Sequence, residues 1–241
     1  MTGRLRLALL DALDERVLPL LAGAVGVLLA GQWFAGATSM GAPARGSLDF
    51  ALWWAWLASG AMALVLGSRA LALPLDDGSA RFLLSGPLHP GRWGLERLGA
   101  TAVVAVGFAG VLALVVSLFV APVPPVAWSV FLLAEVVMLV AFAGLTGVLL
   151  RPLPALALGG AVWWIGHLAG PWATVMTDAG YPGLARVLPF LPDLDTLDAH
   201  AATLAGQPVP AARVGLGIAW ALAWTAASAG ATVSLLSARD L

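Results

Sequence analysis

Residues 98–150 read LGATAVVAVGFAGVLALVVSLFVAPVPPVAWSVFLLAEVVMLVAFAGLTGVLL, and Glu135 is the one formally charged side chain among them. Pro122, Pro124 and Pro125 divide the stretch into two apolar runs. Each run exceeds the roughly 20 residues that a membrane-spanning helix needs. Proline breaks a helix because it lacks an N–H and its ring clashes with the preceding turn. Two spans joined by a tight turn decide the fold class.

The pattern continues on both sides. Residues 17–44, 50–68, 152–177 and 214–237 also contain no Asp, Glu, Lys or Arg. The chain reads as an all-α membrane protein, one transmembrane domain over 1–241. Its six spans are expected at about 17–34, 50–71, 98–120, 126–150, 155–176 and 214–236. Composition agrees: 61% of the 241 residues are hydrophobic and 10% charged, against about 25% charged in soluble domains. A net charge of −1 excludes a nucleic-acid binder acting through bulk charge. With no cysteine, the chain has no disulfide, thiolate metal site or cysteine nucleophile. No internal repeat of the kind that marks many carriers is visible.

Six spans put both termini on one side. That side then holds Arg4, Arg6, Arg16, Arg69, Arg81, Arg92, Arg97, Arg151 and Arg239, leaving Arg45, Arg186 and Arg213 on the other. The bias places the termini in the cytoplasm. Ahead of the first span, Leu5, Leu9, Leu13 and Val17 recur every four residues, with Arg6, Asp14 and Arg16 elsewhere on the wheel. This suits an amphipathic helix in the cytoplasmic interface, the plainer alternative being an extension of the first span into water. Asp11, Asp14 and Glu15 argue against a secretory signal. Trp33, Trp53, Trp54, Trp56, Trp128 and Trp172 fall near span ends and read as interface anchors. Trp163, Trp164, Trp220 and Trp224 lie deeper and read as packing residues.

Two loops carry further information. Between spans two and three, Asp76-Asp77-Gly78 reads as a turn or helix cap. Ala80–Ser85 follows as a short amphipathic helix, which Gly86-Pro87 and Pro90-Gly91 break before Trp93–Leu98 leads into span three. The sequence Asp77-Gly78-Ser79, Leu83-Leu84-Ser85, Pro87-Leu88 and Arg97 resembles the corresponding loop of the ABC-2 type permeases, the membrane subunits of one class of ATP-binding-cassette exporters. Where family members often have Ser-Arg after the proline-aliphatic pair, this chain has His89-Pro90, with Arg92 two positions on. Between spans five and six, Leu191-Pro192-Asp193-Leu194-Asp195 resembles a second family segment, and Leu184, Val187, Leu188 and Leu191 repeat at helical spacing.

The resemblance implies a short cytoplasmic coupling helix between spans two and three and short extracellular helices between spans five and six. It implies a permease in the bacterial cytoplasmic membrane, paired with an identical or related permease chain and with two copies of a separate ATPase. Asp76, Asp77, Gly78, Arg81, Pro87, Arg92 and Arg97 would form the ATPase-coupling loop, with Arg151–Pro154 as a smaller second contact. ATP and magnesium would bind in the partner. This chain lacks a phosphate-binding Gly-x-x-x-x-Gly-Lys-Ser/Thr loop and has no lysine, so it is expected to be non-catalytic and without a cofactor of its own. The features quoted are shared with permeases of cytochrome c maturation and of nitrous-oxide reductase, and do not choose among subgroups.

Glu135 is the one formally charged residue well inside a span. A carboxylate near mid-membrane costs on the order of 3 kcal/mol on insertion scales. It is therefore expected to be protonated, paired or facing a wet cavity: it would line a translocation path, with His167, or bind a cation, or else be a hydrated or hydrogen-bonded group near the outer end. His167, in span five, could bond it across helices, though no sequence feature fixes that pairing and a satisfied packing histidine is the plainer reading. Asp195, Asp198 and His200 offer metal-ligand chemistry, and a solvated polar loop is the bland account of them. Gly144 with Gly147, and Gly166 with Gly170, offer small faces for close helix contact. Ser59-Gly60 and Gly166-His167 are superficially similar to the serine and histidine of rhomboid proteases, but Leu57 stands where their motif has glycine. An ATPase-independent channel or secondary carrier using Glu135 is the alternative to the permease.

Overall fold

The computed structural model describes residues 3–13, 16–80, 89–121, 125–181, 183 and 194–238. A short helix, α1 (Gly3–Ala12), precedes α2 (Val17–Thr38), α3 (Pro43–Asp76), α4 (Pro90–Phe119), α5 (Val126–Leu149) and α6 (Pro152–Asp178). A 3-10 turn at Leu194–Leu197 and a one-turn helix, α7 (His200–Leu204), lead to α8 (Ala211–Ser237). Six helices, α2 to α6 and α8, are long and apolar enough to cross a membrane. The chain is a multi-pass α-helical membrane protein.

Several helices outrun the apolar runs that announced them. At 34 residues, α3 is about 51 Å long at 1.5 Å per residue, well beyond a hydrocarbon core of about 30 Å. Its start at Pro43 and end at Asp76 correct the expected 50–71. Likewise α4 begins at Pro90 rather than near 98 and carries Arg92, Glu96 and Arg97 on its first turns. The reason is physical: a charge marks the edge of the hydrocarbon, whereas a helix continues into water while its backbone bonds are made. Proline opens α3, α4 and α6, where its missing N–H costs nothing.

The bundle is built around α3 and α5. α3 packs on α2, α4, α5 and α6, while α5 packs on α3, α4, α6 and α8. About half of the apolar stretch is buried in each (50% and 56%), against 17% in α2 and in α8. Close approach between α3 and α5 needs glycine. A Cβ on Gly67 would lie 2.8 Å from the Val140 carbonyl oxygen, and one on Gly147 would lie 2.7 Å from that of Ser68. Lipid supplies no hydrophobic drive between helices, so contact distance decides packing. Gly144 instead receives Leu98 of α4, whose Cδ2 a Cβ there would meet at 2.3 Å. Gly166 is buried within α6, and Gly170 lies a turn further along the same helix.

α1 is a separate helix, not an extension of α2. It packs against α4 with Leu9 and Ala12 turned to the core and Leu7 and Leu10 exposed. Val17, expected on its apolar stripe, belongs to α2 instead.

The end of α3 meets the starts of α4 and α6. Arg97 Nε donates to the Ala70 carbonyl at 2.8 Å, and Arg151 Nε lies 3.4 Å from Asp76. Arg6, Arg16, Arg69, Arg92, Arg97 and Arg151 belong to this Arg-rich end among the described residues, and Arg45 and Arg213 to the opposite one. Because the chain has no native cysteine, single cysteines at Ser79 and Ala42 test this topology. A membrane-impermeant maleimide should label them from opposite faces of sealed vesicles. Labelling of both from one face would contradict it.

Candidate functional site

Glu135 lies nine residues into α5, about 14 Å from its start, and is only 3% exposed. Two indole N–H donors and an imidazole nitrogen from two other helices converge on it. Trp163 Nε1 donates to Oε1 at 2.6 Å, and His167 Nε2 lies 2.8 Å from the same oxygen. Trp56 Nε1 is shared between Oε1 and Oε2 at 3.1 and 3.2 Å. A hydrogen bond between membrane helices is worth about 0.6–1.7 kcal/mol. Three such bonds are therefore comparable with an insertion cost on the order of 3 kcal/mol.

Helical spacing explains the convergence. Trp163 and His167 are four residues apart on α6, so they present on one face. On α3, Trp56 and Gly60 have the same spacing. Gly60 makes room for the Trp163 ring: a Cβ there would lie 2.2 Å from Trp163 Cζ2. The Trp56 ring then packs 4.7 Å from Trp163 and edge-on to His167 at 4.8 Å, centroid to centroid. Trp164 meets Trp56 edge-on at 5.9 Å.

From this cluster a cavity of about 310 Å³ runs toward the end opposite the Arg-rich one, where Asp198 and His200 line it. There Asp198 Oδ1 accepts the His200 backbone N–H at 2.7 Å, and His200 Nε2 lies 2.7 Å from Asp49 Oδ1. Asp195, Asp198 and His200 do not converge, and no group of three metal-ligand side chains occurs among the described residues.

Trp56 and Trp163 were not legible as ligands of Glu135. Trp56 is half-buried and bonds Glu135, and Trp128 is buried against the cavity. The signal was present, since a buried indole N–H needs an acceptor and Glu135 is the strongest one at that depth. Ser59 Oγ, one turn from Trp56, is buried without a hydrogen-bond partner among the described residues, while His167 Nε2 is engaged with Glu135. The two are not joined as a catalytic dyad would be.

At the Arg-rich end the predicted loop residues take separate roles. Asp77 caps α3, Gly78 follows at φ +77°, and Asp77 Oδ1 accepts the Ser79 N–H at 2.8 Å. Hydrogen bonding from Ser79 holds the Asp77 carboxyl below the ordinary carboxylate range. Asp76 pairs with Arg151, and Arg92 with Glu96 at 3.0 Å. Arg97 bonds Ala70 and Asp11 and sits 5.7 Å over the Trp93 ring. A second cavity, about 830 Å³, opens between α1, α3 and α4 beside Asp11, Arg69, Asp77 and Arg97. Arg81, Pro87 and nearly all of the expected coupling helix lie outside the described residues, as do Leu191–Asp193 and the leucine repeat before them.

No protein-family model matches this chain, and no curated protein is significantly similar to it. Fold and site together define a six-helix membrane domain with a buried acid held by indole and imidazole donors.

Gly60→Ala tests how that acid is held. It should cost about 1–3 kcal/mol of stability in detergent by overpacking Trp163. Gly107→Ala, in open space on α4, should cost nothing measurable. Equal stability of the two variants would contradict the packing.

Proposed function

We propose that this chain is the permease subunit of an ABC-2 type transporter, coupling ATP hydrolysis by a separate ATPase to export of a substrate across the bacterial cytoplasmic membrane. Two permease chains, identical or related, would pair with two ATPase subunits that hold ATP and magnesium. The Arg-rich end would face the cytoplasm with both termini. The reading rests on two loop motifs in order and six apolar helices of suitable length. The expected interfacial position of α1 accords with its exposed leucines.

The observation that carries it is the set of ties at the root of the 71–100 loop. Arg97 bonds α3 through the Ala70 carbonyl and α1 through Asp11, while Arg151 reaches Asp76 from the start of α6. A push on the loop is thereby shared by α1, α3, α4 and α6. Of these, α3 and α6 also carry Trp56, Trp163 and His167, so motion at the Arg-rich end reaches the buried acid. Arg97 is committed internally. Arg92, with its side chain 70% exposed, is the described residue best placed to meet an ATPase, with Arg81 beside it in sequence.

The alternative, an ATPase-independent channel or carrier, is favoured by one observation: Glu135 is a polar centre at mid-membrane next to a cavity. Affinity purification of the tagged chain in mild detergent, with mass spectrometry of what stays bound, separates the two. The permease reading expects a stoichiometric ATP-binding-cassette subunit, whose recovery falls several-fold in Arg81→Glu and Arg92→Glu. A chain that comes out clean under several gentle conditions would contradict it and leave the carrier.

A further inference from the structure

We propose that the cavity beside Glu135 binds a small organic cation, an alkyl- or arylammonium. This goes beyond the transport reading and holds whether or not an ATPase drives the chain. The cavity is lined by the indoles of Trp53, Trp56, Trp128 and Trp164 and by the carboxyl groups of Glu135 and Asp198. Aromatic rings with carboxylates attract a desolvated ammonium through the ring quadrupole and through charge. At about 310 Å³ the space is at the lower end, roughly 300 Å³, of ligand-sized cavities.

Three observations narrow the ligand. Oε1 of Glu135 meets three partners, Trp56, Trp163 and His167, whereas Oε2 meets only the shared Trp56 N–H at 3.2 Å among the described residues. Oε2 therefore keeps acceptor capacity for an ammonium N–H or for charge contact. A metal ion is disfavoured, because indole N–H groups only donate and no three-ligand cluster is present among the described residues. An anion is disfavoured by the two carboxyl groups. The imidazoles in the lining are occupied, His167 with Glu135 and His200 with Asp49. The nearby Arg213 donates to the Asp198 carbonyl at 2.9 Å and does not line the cavity.

Among the residues that line the cavity, Glu135 and Asp198 supply carboxyl groups and four tryptophans supply indoles to a cation. Trp164 is the side chain to alter first. It is 45% exposed and makes no bond to Glu135, so its loss leaves the buried cluster standing.

The test uses the full chain in lipid nanodiscs and equilibrium dialysis with radiolabelled benzyltrimethylammonium. Saturable binding of one cation per chain is expected. Affinity should fall by about tenfold in Trp164→Leu and in Glu135→Gln, the order of a desolvated cation–π contact. Neopentylbenzene, the uncharged isostere, should compete at least about tenfold more weakly. The proposal fails if a chain shown folded by circular dichroism and gel filtration binds none saturably. It fails equally if both variants bind like the parent, or if the neutral isostere competes as well as the cation.

Discussion

A carboxyl group in the middle of a membrane must find donors within the protein, and that requirement organises this molecule. Glu135 draws Trp56 from α3 and Trp163 and His167 from α6 onto one α5 residue. Three helices are thereby fixed in rotation about their own axes, since turning any of them by one residue would carry its donor or acceptor off the site. Apolar packing alone would specify this weakly, because lipid tails are as good a partner for leucine as a neighbouring helix is.

Glycine supplies the other half of the constraint. Gly67 and Gly147 bring α3 and α5 into backbone contact, and Gly60 opens the volume that the Trp163 ring fills. Toward the Arg-rich end Arg97 and Arg151 tie α3 to α1, α4 and the start of α6. α3 therefore runs from a charge-clamped end to an aromatic-acid centre.

Much of the fold was legible in the sequence because hydrocarbon penalises charge so strongly. Charge-free runs located all six spans, and prolines marked where the third and fourth of them end. Helix ends were less legible: the Pro43 and Asp76 ends of α3 lie in water, where the charges that mark a membrane edge no longer stop a helix. Glu135 and His167 stood out by residue type, one as an intramembrane acid and one as a nearby imidazole. Their bond was not readable, since separation along the chain says nothing about which faces meet. Trp56 and Trp163 were missed for a further reason. A tryptophan serves equally as an interface anchor, a packing ring or a donor, and only the acceptor opposite it decides.

The central claim is that Glu135 and Trp163 interact directly across α5 and α6. A double-mutant cycle with Glu135→Gln and Trp163→Phe, read as unfolding free energy in detergent, measures that interaction alone. The structure predicts a coupling of about 0.6–1.7 kcal/mol, the range of hydrogen bonds between membrane helices. Additivity within about 0.5 kcal/mol would mean that the two side chains do not meet, and the site as described would be wrong.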